Sequence, residues 1–237
     1  MKYTTTIYLY PVFSVIAAVL ILLIVGTTPS QSLSLSLQEE VGIASVFILC
    51  CSIGISFTLR PNWVRRSILR FQNEEKNTQP RGERSFQGHH PDCPPFKNHT
   101  IRWKEKTWCA GCLGLFIGLC AAILLMILYM ATDFQLIKMM SYLLLLLGLS
   151  ILPVVYVEIL HRSKYAGVHV FINSMLPLSF FIITISVEAI TGKFISSLFT
   201  ILLCFLWLDT RIQLSKWHHS LLCTHCSENC KMFTGSV

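Results

Sequence analysis

Six apolar blocks divide this chain, and they leave it few ways to fold. They cover residues 7–25, 41–59, 113–131, 139–160, 166–190 and 194–208. A helix needs about 20 apolar residues to cross the hydrocarbon core of a bilayer. Five blocks are long enough. The sixth, at 15 residues, is short, and its span extends if it takes in Thr191 or Asp209. Lipid offers no partners to backbone N–H and C=O groups, so such blocks cross as helices that bond internally. The apolar part of the first block exceeds the roughly 7–15 residues of a signal peptide's core, which makes it an anchor. Composition agrees: 53% of residues are hydrophobic and only 13% charged, against about 25% charged in soluble domains. The expected fold is an all-α integral membrane protein of about six transmembrane helices, with a small cytosolic Cys/His metal-binding insertion.

Charge sets the expected orientation. With six spans, one side receives 17 of the 19 lysines and arginines, and the other only Lys138 and Lys193. The basic side of a membrane protein is the cytosolic one. This places both termini and the loop of residues 60–108 in the cytosol of a cell-membrane protein. The net charge of +7 then serves topology and attraction to anionic lipid headgroups. Outside the candidate metal loop, no interleaving of aromatic and basic residues suggests a nucleic-acid partner.

Between and after the spans the chain divides by composition. Residues 1–61 read as a two-helix hairpin, 62–88 as a polar linker, 89–112 as a Cys/His module, 113–208 as a four-helix bundle and 209–237 as a Cys/His-rich tail. The linker, with mixed charge and broken by Pro80 and Gly82, reads as mobile. The serine-rich loop after the first span carries no evident chemistry.

The module "HHPDCPPFKNHTIRWKEKTWCAGCLG" holds the strongest chemical signal. His90 and Cys93 are separated by two residues, as are Cys109 and Cys112, with 15 residues between the pairs. That is the spacing of a two-knuckle zinc ribbon with one cysteine replaced by histidine. Zinc takes four soft or borderline ligands at tetrahedral corners, and two tight turns joined by a short hairpin supply them. Pro94 and Pro95 end the first turn, "TIRWKEKTW" suggests a β-excursion, and Gly111 and Gly114 suit a close turn at the second pair. His89 and His99 are alternatives to His90 as ligand. A disulfide or redox pair of Cys109 and Cys112 is the competing reading, and a cytosolic placement disfavours a stable disulfide.

The tail repeats the theme in "WHHSLLCTHCSENC", where His219, Cys223, Cys226 and Cys230 form a second possible metal cluster, with His218 and His225 spare. It either holds its own ion or lends a ligand to the first site, and an iron–sulfur cluster is the less favoured cofactor. Cys50, Cys51, Cys120 and Cys204 fall within spans and read as small apolar packers. Glu158 and His161 share one helix face, and His169 and Asn173 another. Ionisable groups within spans are costly, so these four mark a possible pocket at the cytosolic end. Pro177 is expected to kink its span, and Glu188 to be solvated at the outer boundary.

The run Cys109-Ala110-Gly111-Cys112-Leu113-Gly114, leading into a helix with Gly114 and Gly118 four apart, resembles a family of prokaryotic multi-pass membrane proteins of unknown function. That family carries a His/Cys segment followed by Cys-Ala-Arg-Cys-Thr-Gly or Cys-Ala-Gly-Cys-Thr-Gly at the start of a transmembrane helix. Here His89-His90-Pro91-Asp92-Cys93 stands where bacterial members have Cys-His-Gln, and Leu113 replaces threonine. The pattern is similar to archaeal members and extends from Gly88 to the end of the chain. The resemblance implies a membrane protein with a metal site and names no substrate.

Taken together, these features suggest a structural zinc fixing the insertion on the bundle of a scaffold or complex subunit. Four protein ligands close the coordination sphere, whereas a catalytic zinc keeps a position for water. The alternatives are a membrane-embedded zinc-dependent enzyme of hydrolase type, with His89, His99 or Glu158 as base, and a thiol–disulfide oxidoreductase using Cys109 and Cys112. A metal transporter fits less well, because no span carries a ladder of histidines or carboxylates.

Overall fold

A computed structural model describes residues 2–28, 35–59, 86–87, 99–103, 106–132, 136–161 and 165–224. Six helices dominate it: α1 (Lys2–Gly26), α2 (Leu37–Leu59), α3 (Ala110–Ala131), α4 (Lys138–His161), α5 (Ala166–Thr191) and α6 (Phe194–Thr224). All six are long and apolar enough to cross a membrane, and the protein is an all-α, multi-pass membrane protein. Between α2 and α3 lie three short strands: β1 (Phe86–Gln87), β2 (Thr100–Trp103) and β3 (Lys106–Cys109). β2 and β3 form the expected antiparallel excursion, with Thr100 opposite Cys109. β1 pairs with β3 in parallel, so Phe86 and Gln87 belong to a sheet, not to a mobile linker.

The six helices are not equivalent. α5 is the central one, packing most extensively on α3 and α4, with α6 on a further side. Small residues bring its neighbours close. A side chain at Gly114 would run into the Val170 carbonyl, and one at Gly118 into Ser174 and Pro177. From α4, Gly148 does the same against Ile183 and Ser179. With no hydrophobic drive between helices in lipid, this close approach is what makes the dispersion contacts. The hydroxyls thereby buried are satisfied within α5: Ser174, Ser179, Thr184, Ser186 and Thr191 each donate to a carbonyl three or four residues back, at 2.7–2.8 Å. Pro177 is buried in α5 at the Gly118 contact.

The periphery is held differently. α1, α4 and α6 meet at a polar clamp in which Ser14 Oγ and Tyr156 OH are 2.9 Å apart. Trp207 Nε1 donates to the Ser14 carbonyl at 3.1 Å, and Tyr156 OH donates to the Trp207 carbonyl at 3.1 Å. At the start of α2, Ser36 and Glu39 exchange hydrogen bonds in a capping box.

Several boundaries differ from expectation. α6 runs 31 residues to Thr224, so the short sixth block and the first half of the expected tail are one helix. Asp209, Arg211 and Lys216 break the apolar run without breaking the helix. Nor is Glu188 solvated: it is 6% exposed, within electrostatic reach of Tyr129 and Glu40. The second cysteine pair also lies on no β-turn. Cys109 ends β3 as the N-cap of α3, and Cys112 is in the helix's first turn. Gly111 and Gly114 are therefore helical, and their value is the space they leave for neighbouring elements.

Candidate functional site

At the end of the bundle that carries the sheet, five elements enclose a cavity of about 60 Å3. This volume admits a few waters or a small ion. Cys109, Gly111 and Cys112 line it from the start of α3, and His99 lines it from just before β2. α4 contributes Glu158 and Ile159, α5 contributes His169 and Asn173, and α6 contributes Arg211, Ser215 and His218.

Two polar linkages organise the walls. His169 Nδ1 stands 2.5 Å from Glu158 Oε1, with the two residues 5% and 8% exposed. No aligned hydrogen bond reaches either buried Glu158 oxygen among the described residues. On the other side, Arg211 donates through Nε and Nη2 to Asn173 Oδ1 at 2.9 and 2.6 Å, while Asn173 Nδ2 donates to the His169 carbonyl at 2.7 Å. Asn173 thus joins α6 to the first turns of α5.

The guanidinium also rests on α3. A Cβ at Gly111 would lie 2.7 Å from Arg211 Nη2, so the glycine leaves the room in which the guanidinium lies. Cys112, Cys109 and Glu158 are the charge-bearing groups within its electrostatic reach. The His99 ring lies against that of His169, with centroids 4.2 Å apart and planes tilted by 34°.

Of the residues expected at a site, the structure gathers Cys109, Cys112, His99, Glu158, His169 and Asn173 at one cavity. His89, His90 and Cys93 lie outside the described residues, as do Cys226 and Cys230. His161 and the tail residues His219 and Cys223 lie on helices, but their side chains are outside the description. Cys109 and Cys112 are not joined in a disulfide. Among the described residues no three His, Cys, Asp or Glu side chains converge closely enough to hold a metal ion.

Arg211, Ser215 and His218 escaped the sequence reading, which counted the arginine only for topology and set the histidine aside as spare. Their signal is the spacing i, i+4, i+7, which puts all three on one helix face. It becomes readable once the helix is extended past Leu208. No family model, curated protein or solved structure matches this chain.

Proposed function

We propose that this is a multi-pass membrane protein built around a zinc site at its cytosolic rim, serving as a scaffold or subunit of a membrane complex. Cys109 and Cys112 supply two thiolates, Cys93 a third, and one histidine completes the tetrahedron; sequence spacing favours His90 for that place. The observation that carries this reading is the meeting of Cys109 and Cys112 with His99, His169 and Glu158 at one ion-sized cavity. Charge supports it. Three thiolates around zinc carry one excess negative charge, and the Arg211 guanidinium beside them is its natural counter-ion.

The distribution of lysine and arginine supports a cytosolic position for the site and for both termini, with anionic headgroups around the rim. One observation favours a second reading, a zinc-dependent hydrolase: the buried Glu158–His169 pair at the cavity is the kind of carboxylate–imidazole unit that handles protons beside a metal-bound water.

Metal analysis of the purified full chain beside Cys109→Ser and Cys112→Ser tests the proposal. About one zinc per wild-type chain, lost in both variants, is the expected result. Zinc lost together with protein level marks a structural ion, and zinc lost at unchanged level marks the hydrolytic alternative. Wild-type protein free of metal would overturn both. Labelling of Cys109 in intact cells by an impermeant thiol reagent would overturn the orientation.

A further inference from the structure

We propose that the cavity is a site for ordered water, which donates to the Glu158 carboxylate and accepts from the Arg211 guanidinium. The inference goes beyond the zinc reading and holds whether or not the thiols carry an ion. Glu158 is 8% exposed and lines the cavity from α4. Neither of its oxygens has a hydrogen-bond partner among the described residues. His169 Nδ1 stands 2.5 Å from Oε1 without the alignment of a hydrogen bond. A carboxylate in that condition has given up its hydration with no donor in exchange, and inside a membrane helix the loss is greater still. Native interiors leave few polar atoms so placed, and an ordered water is the usual partner of one that no side chain serves.

Size and charge both favour water. One molecule needs about 10–15 Å3 of such space and roughly two to four polar partners. The cavity offers about 60 Å3. Glu158 supplies acceptors, and Asn173 from α5 with Arg211 and Ser215 from α6 supplies further polar groups along the lining. Two nitrogens of the guanidinium are already committed to Asn173 Oδ1, at 2.9 and 2.6 Å, which fixes the arginine's place in the wall.

Glu158 lies within electrostatic reach of Arg211, so the cavity brings together one group of each sign. A cation seated on this carboxylate meets the guanidinium, and an anion seated on the guanidinium meets the carboxylate. Water escapes both conflicts, because it donates to one group and accepts from the other.

Water-edited solid-state NMR of the full chain in lipid bilayers, with glutamate labelled at the carboxyl carbon, tests the assignment. The Glu158 resonance is the one lost in Glu158→Met. Magnetisation from water is expected to reach it about as fast as it reaches Glu39, whose capping-box hydrogen bonds are exposed. Ser215→Leu, which fills the cavity from α6, is expected to slow the transfer to Glu158 and leave that to Glu39 unchanged. Slow transfer to Glu158 in the wild type would overturn the proposal, and so would a Ser215→Leu variant that transfers as fast as the wild type. A Glu158 resonance that moves when ammonium chloride replaces sodium chloride marks a cation in place of water and overturns it too. Should Glu158→Met fail to accumulate, Glu158→Asp identifies the resonance while keeping the charge. None of these outcomes bears on whether the purified chain carries zinc.

Discussion

α1 and α5 both cross the membrane, yet they meet different surroundings. The candidate span in α1 has the higher mean hydropathy, 2.7, with 22% of its window buried inside the protein. That in α5 has a mean hydropathy of 2.0 with 67% buried. In water the more apolar helix would be the more buried. In lipid the order reverses, because the surrounding acyl chains are as apolar as leucine and the protein interior is where polar groups find partners. Val15 and Leu23 of α1 are exposed and serve as a lipid-facing surface, whereas α5 buries serines, threonines, Asn173, His169 and Glu188. Of these two, the less greasy span is the one to search for function.

Substitutions that exchange these two environments test the contrast. The largest effect is expected at the seam around α5. Gly118→Leu drives a side chain into Ser174 and Pro177, and should cost about 3 kcal/mol or prevent accumulation of folded protein. Gly26→Leu on α1, where nothing lies within 4 Å of a new Cβ, should change the melting temperature in micelles hardly at all. Equal melting of the two variants would refute the central role of α5. Next in size is Arg211→Met, which leaves Asn173 Oδ1 without its two donors. About 2 kcal/mol of stability should go with it, since hydrogen bonds to charged groups are worth about 1.5–3 kcal/mol.

A smaller loss follows at the periphery. Tyr156→Phe removes the hydroxyl that bridges α1 and α6, and an interhelical hydrogen bond in a membrane averages about 0.6 kcal/mol. The smallest change belongs to Val15→Leu, 63% exposed on α1, which should fall within about 0.5 kcal/mol of wild type. Denaturant titration in mixed micelles orders Gly118→Leu, Arg211→Met, Tyr156→Phe and Val15→Leu. A Val15→Leu effect larger than that of Tyr156→Phe would mean that α1 faces protein where the structure has it facing lipid.

The spans were legible because bilayer thickness imposes a length that no soluble core demands. Where reading failed, a side chain was stabilised by a partner distant in sequence. Asp209 and Arg211 look like the end of a membrane segment, yet Arg211 continues the helix because Asn173, 38 positions away, takes its charge-assisted hydrogen bonds. Glu188 looks solvated from its position near a span end, and only the packing around α5 reveals its burial. Cys109 and Cys112 were recognisable as ligand types from spacing. Their mounting on a helix start was not, because Gly111 and Gly114 suit both a tight turn and a close helix contact. Glu158, His169 and Asn173 were readable as polar residues in an apolar setting, while Arg211 and His218 required knowing which helix approaches which.

The cavity's walls extend from His99, ahead of β2, to His218, near the end of α6. It therefore stays incomplete until the final transmembrane segment has been inserted and docked. A ribosome-bound or truncated chain that lacks α6 has the cysteines without the arginine beside them. Formation of the cavity then becomes a late event in biogenesis, following the docking of α6 on the other helices.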